Sequence, residues 1–344
     1  MRRIGFLLLL TLIALLAACG DGGAASGRAG QGGAAAAGAA EGNAAPGEEG
    51  AAVTAPAGRR SQPLVITDAT GKTHVFETVP QRIVSISPAE TEILFALGLD
   101  GRIVAVSDYD DYPPETASKE RVGGIIDPNE ELLLALRPDL VVAGLSLDPN
   151  VTERLRQLGL PVIQLKADSV DDVFLNIRLL GQITGTEEAA ERLEADMRGV
   201  MRSVSETVAR LGEGDRRKVY VEIAPGWTVG SGTYLHELLT IAGGINVAGD
   251  VPGWNMINEE AVIAADPDVI LYARGLVDFD SGRPLDELIR ARGGWESIRA
   301  VRDGRVIGIE ENLMARPGPR MAAALEEIAA ALYPELTDWE TASE

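Results

Sequence analysis

Residues 129–142, NEELLLALRPDLVV, recur 129 positions later as residues 258–271, NEEAVIAADPDVIL, with six of the 14 positions identical. In each copy the acidic start favours a short helix, which must end before the Pro-Asp pair because proline cannot continue a helix. A fully apolar run of strand length follows, as a buried parallel strand requires. Two copies of this unit at domain-scale spacing predict two similar α/β lobes. The alternative is chance, since helix, Pro-Asp and strand follow one another in many α/β proteins.

A long helical pattern lies between the two copies. Apolar residues recur at steps of three and four from Ala190 to Leu211, Thr186 is a favourable N-cap, and a polar tract from Gly212 ends the pattern. This segment order predicts an α/β fold of two Rossmann-like lobes, joined by one long connecting α-helix, with a ligand cleft between the lobes. A single helical connection favours small lobe adjustments over a large hinge closure.

The start of the chain has the features of a lipoprotein signal peptide. Arg2 and Arg3 precede an apolar run from Ile4 to Leu16, which is too short for a comfortable membrane span. The run closes on Leu-Ala-Ala-Cys, which looks like the lipobox at which bacteria acylate a cysteine, here Cys19, and cleave before it. Several acyl chains on one cysteine would give stable membrane anchoring. The alternative is an ordinary signal peptide with an incidental cysteine.

The segments after the signal peptide differ in composition. From Gly20 to Gln62 the chain is mostly Gly, Ala, Ser, Pro and Glu. Such a segment cannot bury enough apolar surface to offset chain entropy, and we expect it to be disordered. The predicted organisation is a signal peptide (1–18), a Gly/Ala-rich linker (19–62), an N-terminal lobe (63–185), a connecting helix (186–212), a C-terminal lobe (213–336) and a tail (337–344).

Composition argues against several functional classes. The formal net charge of −21 opposes nucleic-acid binding, where Lys and Arg must neutralise phosphates. The only two histidines, His74 and His236, lie 162 residues apart, so neither histidine-based catalysis nor a His-rich metal site is expected. We therefore predict a non-enzymatic protein with no metal site and no cofactor. A cell-envelope enzyme is the alternative of a different class, because an α/β fold alone does not exclude catalysis.

Aromatic residues make up only 4% of the chain, yet several follow predicted strands. Because open α/β lobes bind ligands beyond the carboxyl ends of their strands, these loops form the candidate ligand site. Aromatic rings there suit a flat, partly apolar ligand such as a corrin or a porphyrin. The alternative is that each ring anchors its own turn. The candidates are Tyr109, Tyr112, Trp227, Tyr234 and Trp254.

The repeat, the long helix and several loops together resemble the class III substrate-binding proteins of ABC importers, the family that serves cobalamin, haem and ferric siderophores. The resemblance spans roughly Leu64 to Pro334. Its most specific stretches are residues 82–92 (RIVSISPAETE), 108–114 (DYDDYPP), 242–246 (AGGIN) and 316–320 (RPGPR). The tyrosine loop is most similar to that of vitamin B12-binding members.

The resemblance implies a location and partners. An extracytoplasmic lipoprotein, anchored to the bacterial cell membrane through Cys19, would capture a corrinoid and deliver it to a two-fold ABC permease. In this family one glutamate on each lobe reaches arginines of the permease. The matching residues are Glu131 and Glu260, the third residues of the two repeat copies. Both are also helix-start acids, which the helix dipole favours by itself.

The resemblance also extends the candidate ligand site. It implies that Arg316 contacts ligand amides, carboxylates or phosphate, and that Asn312 lies where cobalamin binders can carry an acid. Arg320 is expected to cap the next helix or to pair structurally. At two positions where tryptophans can line the cleft, this chain has Ile125 and Gly144. That departure weakens the case for vitamin B12 specifically, so a ferric siderophore or haem is an open alternative within the same class.

Overall fold

The computed structural model describes residues 58–336, and Cys19, most of the predicted linker and the tail lie outside this range. The strands are β1 (Arg59–Thr67), β2 (Thr73–Thr78), β3 (Ile83–Ser85), β4 (Ile103–Val106), β5 (Glu120–Arg121), β6 (Leu140–Ala143), β7 (Val162–Gln164), β8 (Lys218–Glu222), β9 (Trp227–Val229), β10 (Ile245–Asn246), β11 (Trp254–Met256), β12 (Val269–Arg274) and β13 (Val306–Glu310). The α-helices are α1 (Pro88–Ala96), α2 (Glu130–Leu136), α3 (Pro149–Gln157), α4 (Val170–Thr184), α5 (Glu187–Val208), α6 (Tyr234–Ile241), α7 (Glu259–Ala265), α8 (Leu285–Ala291), α9 (Arg299–Arg302), α10 (Glu311–Ala315) and α11 (Met321–Leu332).

Two parallel sheets form the centres of the two lobes. The N-terminal sheet has the order β5-β4-β3-β6-β7 and the C-terminal sheet the order β10-β8-β12-β13. All pairings within both sheets are parallel. Antiparallel pairs, β1 with β2 and β9 with β11, lie outside these sheets. The predicted fold class of two Rossmann-like lobes is therefore confirmed.

The two copies of the repeat fold into the same capped helix. The side chain of Asn129 accepts the backbone N–H of Leu132 at the start of α2, and that of Asn258 accepts the N–H of Glu260 at the start of α7. Both helices end in the left-handed region, at Arg137 (φ 45°) and at Asp266 (φ 46°). A side chain in this region is strained, and the same strain at the same repeat position marks a shared turn geometry.

The Pro-Asp pairs connect each repeat helix to the neighbouring strand of its own sheet. The carboxylate of Asp139 accepts the backbone N–H groups of Gln81 (2.8 Å) and Arg82 (2.7 Å), just before β3. The carboxylate of Asp268 accepts the N–H of Lys218 (2.8 Å), the first residue of β8. The repeated aspartate thus fixes the start of a parallel strand in each lobe, which explains why this pair recurs at the turn between helix and strand.

Helix α5 runs between the lobes, as the apolar periodicity predicts. Its buried face, which includes Met197, Met201 and Val204, packs against α4 on one side and against α6 and α11 on the other. The helix ends at Val208, three residues before the predicted end at Leu211. The chain there tightens into a turn in which the N–H of Leu211 donates to the carbonyl of Val208 at 3.0 Å, a common way for a helix to end. Leu211 still packs against the core, so the apolar pattern continues beyond the helix.

The last residues of the segment that composition assigns to the linker belong to a strand. Strand β1 starts at Arg59, inside the segment assigned to the linker (19–62), and pairs with β2. The guanidinium of Arg60 donates to the carbonyls of Gln182 (2.6 Å) and Ile183 (2.5 Å) at the end of α4. These contacts are with distant parts of the chain, and composition does not reveal them.

No helix within residues 58–336 has both the length and the apolar character needed to cross a membrane.

Candidate ligand cleft

A cavity of 420 Å³ lies between the two lobes. Its walls are built from the segments that follow β3, β4, β6 and β7 in the N-terminal lobe and β8, β12 and β13 in the C-terminal lobe. Carboxyl ends of parallel strands meet at one edge of a sheet, so each sheet presents these segments to the same side. The volume is within the range of small-molecule sites.

The structure brings five of the seven predicted ligand-site residues to this cavity. They are Tyr109, Tyr234, Trp254, Asn312 and Arg316.

Tyr112 lies outside the cavity, contrary to the prediction. Its ring lies in a separate groove that α1, α5 and the start of α11 border. The guanidinium carbon of Arg320 is 4.2 Å from the ring centroid, within the range of a cation–π contact. The residue is 43% exposed, and it is not among the residues that line the cavity.

Trp227 also lies outside the cavity. In the β9/β11 ribbon Trp254 pairs with Val229, whereas Trp227 pairs with Met256 two residues further along. Two residues of strand separate positions by about 7 Å, which places Trp227 beyond the cavity wall although it follows the same loops in sequence. The half-buried indole of Trp227 packs against the core of its own lobe.

Tyr234 contributes its ring and not its hydroxyl to the cavity. The buried phenol donates a hydrogen bond to the carbonyl of Met314, and burial raises the pKa of Tyr234 above its ordinary value. Its ring centroid is 5.8 Å from that of Trp254, a tilted aromatic pair. Tyr234 and Trp254 together form a fixed apolar wall on the C-terminal lobe.

Arg316 reaches the cavity wall with its charge already compensated. Its guanidinium donates to Asp111 (2.6 Å), to the carbonyl of Tyr109 (3.2 Å) and to Glu92 (3.4 Å), all three in the N-terminal lobe. Asn312 lies beside it, with its amide nitrogen 3.5 Å from Asp111. Arg316 therefore connects the lobes, and its charge is not freely available to a ligand.

Glu92 holds a second arginine of the C-terminal lobe. Arg320 donates to both of its carboxylate oxygens, at 2.8 and 2.6 Å, and also precedes the first residue of α11 as its N-cap residue. The structural pairing expected for Arg320 is confirmed. Because Glu92 is only 3% exposed, this is a nearly buried ion pair between the lobes.

Three acids of the cavity wall were missed from sequence, and one of them, Asp111, binds Arg316. Glu90 is 3% exposed, and the hydroxyl of Ser87 donates a hydrogen bond to it, while burial raises the pKa of Glu90 to about 7. Glu311 is half-buried, and burial together with the charges of Glu310 and Asp111 raises its pKa above the usual range. Glu90 resembles an ordinary capping-box acid in sequence. Glu311 follows β13 directly, so strand-end position alone could have identified it.

Ile125 and Gly144, which stand where members of the resembled family can have tryptophans, both line the cavity. Ile125 contributes an apolar surface, and Gly144 lies close to the start of α1. A Cβ at Gly144 would lie 2.6 Å from the Ser87 hydroxyl oxygen and 3.0 Å from a carboxylate oxygen of Glu90. Any side chain at Gly144 would therefore require the side chains of Ser87 and Glu90 to move.

Glu131 and Glu260 occupy equivalent exposed positions on the two lobes. Each lies in the first turn of its repeat helix, and within residues 58–336 neither forms an ion pair. The preceding acids behave differently, because Glu130 pairs with Arg154 at 2.5 Å and Glu259 with Arg292 at 3.2 Å. In each copy one acid is therefore bound within its lobe while the next faces solvent.

Both histidines contact other side chains away from the cavity. His74 lies 3.0 Å from Asp68, and His236 lies 3.1 Å from the amide of Asn246. Neither lines the cavity. In the described part of the chain no group of three or more His, Cys, Asp or Glu side chains is arranged to hold a metal ion.

Comparisons with known proteins agree on the class of binding proteins. The sequence model of the family described as "Periplasmic binding protein" matches residues 83–313. An uncharacterized ABC transporter substrate-binding lipoprotein of Bacillus subtilis, YvrC, is 30% identical over 79% of this chain and 86% of its own length. The vitamin B12-binding protein of Pectobacterium carotovorum is 29% identical over 74% of this chain and 89% of its own. Among solved structures, the periplasmic haem-binding protein RhuT of Roseiflexus superposes with a TM-score of 0.65 at 27% identity, over 75% of this chain and 99% of its own.

Proposed function

Because this chain belongs to the periplasmic binding protein family, we propose that it captures a corrinoid of the vitamin B12 type between its lobes and delivers it to an ABC importer. The family consists of extracytoplasmic substrate-binding proteins of ABC importers, and not of enzymes. The finer parts of the proposal are the corrinoid, the docking residues and the lipid anchor.

The chemical groups of the cavity wall favour a corrinoid as the ligand. The aromatic wall formed by Trp254 and Tyr234 shares the cavity with acceptors such as the Glu311 carboxylate, which has no hydrogen-bond or ion-pair partner among residues 58–336. A corrin ring is flat and is surrounded by amide groups whose N–H donors match such acceptors. The propionates of haem would instead require an available cation, and the arginine at the wall is already paired.

Haem and ferric siderophores are the second candidate, because the phenol of Tyr109 lies at the cavity and is a possible iron ligand. The similarity to the haem-binding protein supports the same class of ligand. Against this candidate, both histidines lie away from the cavity, so a tyrosine–histidine pair around iron would require a rearrangement.

Docking to a two-fold permease through Glu131 and Glu260 is supported by their matched placement. A partner with two equivalent subunits needs equivalent contacts on both lobes, and complementary charges select such contacts. Both carboxylates are exposed and make no ion pair within residues 58–336, so arginines of a partner could reach them without breaking a bond. Lipidation at Cys19 is supported by the sequence signal and by the relative named as a lipoprotein.

Isothermal titration calorimetry tests the ligand. The purified chain is titrated with cyanocobalamin, haemin and a ferric hydroxamate under identical conditions. We expect cyanocobalamin to bind most tightly. Tight binding of haemin or of the hydroxamate, with no heat from cyanocobalamin, would refute the corrinoid assignment and leave the class of binding protein intact.

A further inference from the structure

The residues that line the ligand cavity include more acids than bases. Arg316 is the only lysine or arginine among the described residues that line it, and Asp111, Glu92 and the carbonyl of Tyr109 already bind its guanidinium. These acceptors use three of the five guanidinium N–H donors, and two of them are anionic, so a ligand carboxylate or phosphate would meet a charge that is already compensated. The cavity therefore offers anions little compensation for the water that they lose on entry.

Glu311, unlike Arg316, is a charged residue of the cavity wall that is available to a ligand. It lines the cavity from the C-terminal lobe at the start of α10, and among residues 58–336 its carboxylate has no hydrogen-bond or ion-pair partner. Burial is the largest influence on its pKa, the charges of Glu310 and Asp111 oppose its ionisation, and the charge of Arg316 favours it. A half-buried carboxylate is under-solvated, and the Arg316 guanidinium nearby donates its hydrogen bonds to other acceptors, so a hydrogen-bond donor placed against Glu311 would be strongly favoured.

The other acids of the wall are already occupied. Glu90 receives the hydroxyl hydrogen of Ser87, and Asp111 receives the guanidinium of Arg316. Among residues 58–336, Glu311 is thus the acid of this wall whose acceptor capacity no other group uses.

We propose that Glu311 determines which ligands the cleft accepts, by accepting a hydrogen bond from a ligand N–H group and by repelling ligand carboxylates. This inference rests on the proposed function, and it adds the residue and the chemical property of the ligand that the residue recognises. The preferred ligand presents an amide or another N–H donor at the C-terminal wall of the cleft.

The test compares ligands that differ only in one group. Cyanocobalamin and its derivatives with a single peripheral amide hydrolysed to a carboxylate are titrated into the wild-type chain and into Glu311→Gln. A hydrogen bond to a charged group corresponds to about tenfold in affinity or more, so the wild-type chain should prefer the amide over at least one carboxylate by about tenfold. In Glu311→Gln this preference should disappear.

Glu296→Gln is the matched control, because Glu296 is an exposed acid of the same lobe that does not line the cavity. It should keep the wild-type preference. The preference is a ratio measured on one preparation, so a partly inactive variant still reports it. An unchanged preference in Glu311→Gln would overturn the proposal.

Failure of the corrinoid assignment would look different. If the wild-type chain binds haemin and not cyanocobalamin, haemin and its dimethyl ester become the ligand pair, since they differ in two carboxylates. Glu311→Gln should then improve haemin relative to the ester by about tenfold, because a repulsive charge has been removed. Equal effects on haemin and ester would overturn the role of Glu311 independently of the ligand.

Discussion

Glu92 of the N-terminal lobe binds Arg320 of the C-terminal lobe through two hydrogen bonds of 2.8 and 2.6 Å, although the two residues are 228 positions apart. The same carboxylate lies 3.4 Å from Arg316, so one nearly buried acid holds two arginines of the opposite lobe. The ring of Tyr112 lies over the Arg320 guanidinium and shields this contact. The lobes are therefore joined by charge beside the cavity as well as by helix α5.

Glu92→Gln should destabilise the protein, because it leaves Arg320 and Arg316 without their shared anion at the lobe interface. Removing one partner of a buried ion pair costs about 3 kcal/mol or more. Urea denaturation monitored by circular dichroism measures the free energy of unfolding. The exposed acid variant Glu296→Gln should stay within about 0.5 kcal/mol of the wild type. Equal stability of Glu92→Gln and the wild type would show that the ion pair contributes nothing.

Trp254→Ala and Trp227→Ala should differ sharply in ligand binding. Trp254 lines the cavity and Trp227 does not, although both belong to the same ribbon. Loss of an aromatic anchor that contacts the ligand should weaken binding about tenfold or more, whereas Trp227→Ala should change it by less than about threefold. Calorimetric titration with the ligand that binds the wild-type chain provides the measurement. Equal losses in both variants would contradict this assignment of the cavity wall.

Charge reversal at Glu131 and Glu260 together should abolish uptake while leaving ligand affinity unchanged. Both acids are exposed on the first turns of α2 and α7, and neither lines the cavity. Like charges placed against permease arginines oppose docking. Uptake of labelled ligand in cells and calorimetry on the purified variant separate the two effects.

The control for docking is the pair Glu115→Lys and Glu296→Lys, which reverses one exposed acid on each lobe outside the repeat helices. This pair changes net charge by the same amount and should retain uptake. Normal uptake by the Glu131→Lys, Glu260→Lys variant would remove the docking assignment.

The stability of the protein should fall with rising pH through the titration of Glu90. Burial raises the pKa of Glu90 from 4.5 to about 7, so the folded state holds its proton over a range in which the unfolded state has lost it. The stabilisation from this group is complete below the unfolded pKa and is lost as pH rises through the folded pKa. Between about pH 4.5 and about pH 7 the loss is on the order of 3 kcal/mol.

Glu90→Gln isolates this contribution, because glutamine resembles the protonated acid in shape and does not titrate. The difference in unfolding free energy between Glu90→Gln and the wild type should grow from about pH 5 to about pH 8 in favour of the variant. Parallel stability curves for the two proteins across this range would rule out Glu90 as the titrating group.

Local sequence signals predicted much of the cleft. Two of the predicted residues, Trp227 and Tyr112, lie outside it, because local sequence does not show where the folded chain places a side chain. Tyr109 was predicted from its position after a strand, and it reaches the cavity because strand ends converge there. Trp254 was predicted from its loop just before the second repeat copy, and it also lines the cavity. Trp227 also follows a predicted strand but lies two residue pairs along the ribbon from Trp254. Tyr112 belongs to the correct loop but turns toward Arg320 of the other lobe, a contact that local sequence does not encode.

By itself, the sequence determined the two lobes, because the repeated helix, the Pro-Asp pair and the apolar strand act within some 14 residues and need no knowledge of distant partners. The tertiary structure decided the electrostatics of the cleft. Whether Arg316 is available to a ligand depends on Asp111, 205 positions away, and the lack of a partner for Glu311 within residues 58–336 depends on every segment that surrounds the cavity. Charge compensation is a property of distance in space, and only the folded chain brings residues so far apart in sequence to within hydrogen-bond reach.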